Sequence, residues 1–328
     1  MTNSLTDLQQ RARAGPFFVV LNGRSGHGDT DVTCARIKAV LDAAGRSYEF
    51  LIVEPAQLET TAARAVQLAL ARGGVVVAAG GDGTINTVAL AVIGSGVPFA
   101  VLPQGTFNYF GRANHIPEDP TAAAQVLVDG ELKPVQVGRV NERIFLVNAS
   151  IGLYAKLLEV REVDKARFGR WRFVALASAL LTLLRAHRQW DLSIESEGER
   201  RSVRTLALFA GNNSLQLERI GIQPEHLAAL DRGELVGTML RPISALGMMG
   251  LILRGTFGRL GYAEQVQSFG FRTLSVAPRG RRHIKVGIDG EVCRMRAPLQ
   301  FSVASEALWL LVPAPVPESQ PPVDEAPA

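Results

Sequence analysis

The sequence predicts an α/β fold in its first part, with a parallel, Rossmann-like sheet, and a mainly β, sandwich-like second domain. Three observations predict it. Short apolar runs alternate with stretches of helical periodicity up to residue 135. From Gln136 onward strand-like runs follow one another directly, separated by hairpin-type turns. Glycine-rich loops follow several of the early apolar runs. Strand–helix repetition gives a parallel sheet covered by helices, whereas successive strands give antiparallel layers.

The elements follow in order. PFFVVLN (Pro16–Asn22) is a short apolar run and predicts a buried strand. DVTCARIKAVLDAAG has apolar residues at helical spacing and a glycine stop at Gly45. SYEFLIV predicts the next strand and TTAARAVQLALARGG the next helix, again closed by glycine. VVVAA, INTVALAVIGSG, PFAVLP and DPTAAAQVLVDG continue as strand, helix, strand and helix. The second part predicts strands at IFLVNAS, WDLSIES, TLALFAG, ELVGTML, VQSFGFRTLSVA, HIKVGI, EVCRM and LQFSVAS. Glu197-Gly198 and Asp289-Gly290 are hairpin turn signals. A helical insert over 169–188 and an apolar stretch, Ile243 to Leu253, interrupt the strands. The expected organisation is a first domain over 15–135, a second over 136–312 and a disordered, proline-rich tail over 313–328. There is no internal repeat.

Composition narrows the function classes. The 328 residues are 47% hydrophobic and 20% charged, which is globular and long enough for two cores. The net charge is +4, carried mostly by arginine, and this mild basic excess suits nucleotide phosphates or acidic lipid headgroups. Nucleic acid is not an expected partner. Cys34 and Cys293 lie far apart, outside any CxxC or Cys/His cluster, which argues against a disulfide scaffold and zinc. The N-terminal stretch has no apolar core, so no secretory signal is expected. The longest apolar stretch, Phe173 to Leu184, is about a dozen residues, short of the roughly 20 a spanning helix needs. A reducing, cytoplasmic setting follows, and self-association is left open.

The stretch AAGGDGTINTVAL (Ala78–Leu90) carries the chemistry. A strand ends in Gly80-Gly81-Asp82-Gly83-Thr84, and a helix is expected to start near Ile85 with Thr84 as its cap. Bare glycines let backbone N–H groups approach a phosphate, and a helix N-terminus adds partial positive charge. A carboxylate beside phosphate makes sense if Asp82 holds Mg²⁺. The stretch is neither GxGxxG nor GxxxxGK[ST], and a glycine-rich turn can also form with no ligand. Two further loops weigh against a plain turn: Asn22 to Gly28 after the first strand, and Gln104-Gly105-Thr106-Phe107-Asn108 after PFAVLP. In a parallel sheet all three emerge on the edge where ligands of open α/β sheets bind.

GGDGTIN, then LPQGTFNYFGR, FLVNASIGLYA and GIDGE, in this order, resemble the diacylglycerol kinase catalytic-domain family, nearest its bacterial soluble lipid kinases. GGDGT alone is shared with NAD kinases and phosphofructokinases; the ordered set, spread from residue 17 to 312, is far more specific. The resemblance implies a nucleotide-binding α/β domain, a β-sandwich domain, an ATP cleft between them, and Mg²⁺-assisted phosphoryl transfer to a lipid hydroxyl. It places Asn22, Ser25 and Gly26 in the first nucleotide loop and Gly80, Gly81, Asp82, Gly83, Thr84 and Asn86 in the central one. Gly105, Thr106 and Asn108 fall in the third. Asp289 matches the family's proposed general base, with Glu291 beside it. Several positions depart from the pattern. Gly23 stands for the usual proline, Thr87 for a frequent glutamate and Tyr109 for a common aspartate. Leu230-Asp231-Arg232-Gly233 puts an arginine into a structural metal motif, which argues against a metal there.

From the residues alone, Asp289-Gly290 is a strong hairpin signal and no more. With the resemblance, the turn also presents a carboxylate to the cleft. In the segment Arg161 to Arg188, Phe173, Leu176, Leu180, Leu183 and Leu184 fall on one helical face flanked by arginine. Such a helix can pack on the β domain or lie on an anionic bilayer. The histidines show no metal spacing; His27 alone sits in a phosphate loop. An ATP- and Mg²⁺-dependent lipid kinase acting at a membrane surface is the leading expectation. An NAD kinase-like phosphotransferase and a non-catalytic nucleotide- or lipid-binding module are the alternatives.

Overall fold

Apolar runs without polar alternation become strands buried on both faces, as parallel sheets require. The computed structural model describes residues 5–23, 30–152, 189–196, 198–243 and 265–315. The α/β unit begins with α1 (Leu5–Ala14) and β1 (Phe17–Asn22). It continues through α2 (Thr30–Ala43), β2 (Tyr48–Val53), α3 (Leu58–Arg72) and β3 (Val75–Gly80). Next come α4 (Asp82–Val92), β4 (Phe99–Pro103), α5 (Tyr109–Ala113), α6 (Pro120–Asp129) and β5 (Glu131–Val135). Every residue of β3 and β4 is buried. Helix α3 stops where its sequence signal lies: Gly73 takes the left-handed conformation at φ 64, which costs glycine little.

The sheet order is β2-β1-β3-β4-β18-β5, where β18 (Leu308–Val312) is the last strand of the described chain. Strands β2, β1, β3, β4 and β18 are parallel, but β5 runs antiparallel to β18. The expected all-parallel sheet is therefore a mixed one. The reason is tertiary: Leu308, Leu310 and Leu311 are buried in the first core, so the chain returns from the β-rich part to finish this sheet.

The β-rich part holds β6 (Gly138–Val140), β7 (Arg143–Phe145), β8 (Asn148–Gly152), β9 (Trp190–Ser196), β10 (Glu199–Thr205) and β11 (Ala207–Gly211). After α7 (Ser214–Arg219) and α8 (Pro224–Asp231) come β12 (Leu235–Leu240), β13 (Val266–Phe271) and β14 (Thr273–Pro278). The hairpin β15 (His283–Ile288)–β16 (Glu291–Arg296) and β17 (Leu299–Val303) complete it. Two six-stranded sheets form, β10-β9-β14-β17-β6-β7 and β13-β12-β11-β8-β15-β16. Within each, all pairings are antiparallel. One hydrophobic cluster draws on both, with Leu192, Val276 and Phe301 from the first and Ile151, Leu208 and Val286 from the second. Ile144, Leu146 and Val147 belong instead to the core of the α/β unit. That anchorage fixes the backbone between β7 and β8 against α4.

Candidate active site

The ends of β1, β3 and β4 lie at one edge of the first sheet. Strand β1 pairs with β2 on one side and β3 on the other, so the crevice between β1 and β3 is the topological switch point. There, the Asn22 side-chain amide donates to Thr84 Oγ1 at 3.1 Å, tying the end of β1 to the central loop. Helix α4 begins at Asp82, three residues earlier than expected, and Gly81 is its N-cap, with no side-chain cap bond. Thr84 is not the cap but a buried residue of the first turn. It packs so close to Gly80 that a Cβ there would lie 2.6 Å from the Thr84 Cβ. With no side-chain cap, the N–H groups of this turn remain available to an anion.

The third loop touches the second backbone to backbone. A Cβ on Gly105 would lie 2.9 Å from Gly81 Cα and 2.8 Å from Asn108 Oδ1. Asn108 is buried at φ 49, and its side chain closes its own loop. Its Oδ1 accepts from the Gly105 N–H at 2.8 Å, and its Nδ2 donates to the Gly105 carbonyl at 3.0 Å. Thr106 is exposed. Ser25, Gly26 and His27 lie outside the described residues.

Asp82 sits between these two loops. Its Oδ1 is buried with no hydrogen-bond partner. Burial raises its carboxyl above the usual range, against the pull of the nearby backbone N–H groups of Phe110, Asn108 and Tyr109. An orphaned, buried carboxylate oxygen is a group that a cation would satisfy. Mg²⁺ commonly takes only one or two protein carboxylates, the rest being water and phosphate oxygens. Asp82 fits that role, although the described residues hold no cluster of three metal-ligating side chains.

The second carboxylate comes from the other unit. The β15–β16 turn has Asp289 at φ 45 and Gly290 at φ 94, both positive, as a two-residue hairpin of this sequence demands. The Asp289 carboxylate is nonetheless more than a turn device. Its Oδ1 accepts from the N–H groups of Val147 at 3.0 Å and Asn148 at 2.7 Å. Its Oδ2 accepts from the Leu146 N–H at 2.7 Å and from Asn86 Nδ2 at 2.6 Å. These four donors favour the charged form, but burial outweighs them and pushes the carboxyl up to about 6. Glu291 is exposed, and its Oε1 would lie 3.5 Å from a Cβ on Gly83. The hairpin thus closes on the first turns of α4.

A cavity of about 240 Å³ lies at this junction, lined by Asn86, Asp289 and Glu291 together with Glu59, Arg143 and Cys293. The last three carry no local motif; only the tertiary fold brings them here. The Leu146–Asn148 donors were hidden for a different reason, since every residue type but proline supplies an N–H.

The departures from the family pattern have local accounts. Thr87 Oγ1 donates to the Gly83 carbonyl within α4 at 3.0 Å. The Tyr109 carbonyl accepts from Asn213 at 3.0 Å and its hydroxyl from Arg219 at 3.3 Å, a second link between the units. Arg232 pairs with Glu234 at 3.2 Å. Among the described residues no helix is long and apolar enough to cross a membrane. The expected helical insert over 169–188, with its amphipathic face, lies outside the described residues.

Comparison with known proteins agrees with this arrangement. Residues 16–140 match the model of the diacylglycerol kinase catalytic domain. A Pseudomonas aeruginosa protein named "Probable lipid kinase YegS-like" is 32% identical over 312 residues, covering 90% of this chain and 94% of that one. A Staphylococcus aureus diacylglycerol kinase is 34% identical over 140 residues, 42% of this chain and 44% of its own. The crystal structure of a diacylglycerol kinase from Bacillus anthracis superposes with a TM-score of 0.65 at 16% identity, covering 90% of this chain and 96% of that one. The fold, the loops and the near full-length likeness lead to one conclusion: the chain belongs to the diacylglycerol kinase catalytic-domain family of enzymes, among its YegS-like members.

Proposed function

We propose that this chain is an ATP- and Mg²⁺-dependent lipid kinase, which transfers the γ-phosphoryl group of ATP to the hydroxyl of a lipid such as diacylglycerol. The observation that carries the reading is the Asp289 carboxylate, poised at about 6 and bonded to the helix whose N-terminus faces the glycine loops. A base that titrates near the working pH combines availability with proton affinity. The names of the relatives support a lipid as acceptor.

The chain's own residues divide the work. The uncapped N–H groups at the start of α4 receive the triphosphate, and Gly105 lets the third loop lie against them. Mg²⁺, held by Asp82, would neutralise phosphate charge. The lipid hydroxyl oxygen attacks the γ-phosphorus, the bond to the β–γ bridging oxygen breaks, ADP leaves, and the hydroxyl proton passes to Asp289. A carboxylate offers about four acceptor positions, and at rest Asp289 uses all of them. The Asn86 amide is the one donor that can swing aside, because the other three are backbone groups anchored in the core. Glu291, exposed at the mouth of the cavity, is the next carboxylate in line.

The test is phosphorylation of extracted lipids by γ-labelled ATP, with Asp289→Asn and Glu291→Gln run beside wild type. A labelled lipid that disappears with Asp289→Asn supports the reading. No labelled lipid from any extract would sink it.

A further inference from the structure

The outer face of the sheet β10-β9-β14-β17-β6-β7 gathers arginine at the end away from α4. On edge strand β10, Arg200, Ser202 and Arg204 point to one side, opposite Glu195, Ser193 and Asp191 of β9. With Arg279 they line a cavity of about 790 Å³, three arginines against one aspartate, Asp191. All three arginines are exposed. Arg200 uses its Nε on Ser193 Oγ at 2.9 Å, and Arg204 its Nε on Asp191 Oδ1 at 3.0 Å. Arg204 is thereby ion-paired with Asp191, whereas Arg200 and Arg279 form no salt bridge to a described residue. The Arg279 N–H donates to the Asp191 carbonyl at 2.9 Å, which holds the third arginine in register. Next to it Arg281 lies over the half-buried Trp190 ring, 4.7 Å from its centroid.

We propose that this face is the membrane-docking surface of the protein, with Arg200, Arg204 and Arg279 receiving the phosphates of anionic phospholipids. Charge complementarity selects the occupant. Guanidinium groups match phosphate oxygens in pairs and shed water more readily than an ammonium. Each basic side chain near an anionic bilayer adds about 1 kcal/mol of attraction, and a tryptophan at the rim suits the headgroup level. Scattered charge is enough to protect an edge strand from pairing; it does not require three cations converging on one hollow. The arginine turn and Asp289 stand at opposite ends of β15, six residues or about 20 Å apart.

The experiment is co-sedimentation of the full chain with vesicles of phosphatidylcholine alone or mixed with phosphatidylglycerol. Wild type is expected to bind the mixed vesicles only, and less in 1 M salt than in 0.1 M, where the screening length drops from about 10 to 3 Å. Arg200→Gln with Arg279→Gln should weaken binding roughly thirtyfold, at an unchanged melting temperature. The control pair Arg13→Gln with Arg64→Gln, exposed arginines on α1 and α3, should bind as wild type does. If the first pair melts early, Arg279→Gln alone in the turn replaces it, with a several-fold loss expected. Binding by the docking variants within threefold of wild type, an equal loss in the control, or no wild-type preference for anionic vesicles would overturn the proposal. No catalysis is read, so this outcome stands apart from that of the kinase assay.

Discussion

Asn86, one turn into α4, donates a 2.6 Å hydrogen bond to Asp289 at the tip of the β15–β16 hairpin, 203 residues later. This bond joins the helix that starts among the glycine loops to the carboxylate offered as the base. It also makes Asn86 a group whose loss is felt in both the fold and the titration of Asp289.

Asn86→Ala removes a donor that favours the charged form of Asp289. The acid limb of the kcat/KM–pH profile should move to higher pH. Hydrogen bonds to charged groups contribute about 1.5–3 kcal/mol, so the melting temperature should also fall by several degrees. An unmoved acid limb would separate Asn86 from the titrating group.

Asp289→Asn should lower turnover at least a hundredfold, the lower end of general-base contributions of about 10²–10⁴. It should also destabilise the fold. Asp289 accepts on both oxygens, two N–H groups on one and an N–H with Asn86 on the other. An asparagine turns one of those acceptors into a donor, which leaves buried N–H groups unpaired at about 1–3 kcal/mol each. Turnover must therefore be measured well below the lowered melting temperature, with ATP binding checked by calorimetry. If turnover stays within a few-fold while Glu291→Gln loses a hundredfold, Glu291 is the base.

The pH dependence has a definite sign. With Asp289 as the proposed base, activity would need it ionised, so kcat/KM should rise with pH through about 6 and level off above it. The stability contribution of the same group runs the other way. Its folded pKa of about 6 lies above the roughly 3.9 of an unfolded aspartate, so the folded state binds the extra proton. That contribution is complete below about pH 4 and is lost as pH rises through 6. Flat activity from pH 5 to 8 would rule out Asp289 as the base.

Gly105→Ala should weaken ATP binding at least tenfold while sparing the β-rich unit. The new Cβ would meet Gly81 Cα at 2.9 Å, a backbone atom that cannot rotate away, and must push the two loops apart. Calorimetric titration with ATP measures the effect, and unchanged affinity would place the triphosphate elsewhere.

Asp82→Asn should raise the Mg²⁺ concentration needed for half-maximal turnover, and chelation of Mg²⁺ should stop wild-type turnover. Asparagine keeps the size of the side chain but not the charge that its buried Oδ1 offers a cation. An identical Mg²⁺ titration in the variant would remove Asp82 from metal binding.

Sequence alone determined much of this protein. Apolar runs such as Val75–Gly80, helical spacing between them and glycines at fixed offsets specify the strands, the α/β order and the glycine loops after β3 and β4, because each depends on neighbours within a few residues. Asp289-Gly290 specifies its hairpin for the same reason. The tertiary structure alone decided the rest. Strand β18 enters the first sheet because Leu308, Leu310 and Leu311 find their core there, and no local pattern says which sheet an apolar strand completes. The surroundings of Asp289 come from backbone N–H groups at Leu146–Asn148 and from Asn86, far away in the chain. Every residue but proline carries an N–H, so only the folded path of the backbone can reveal which ones converge on a buried carboxylate and set its affinity for a proton.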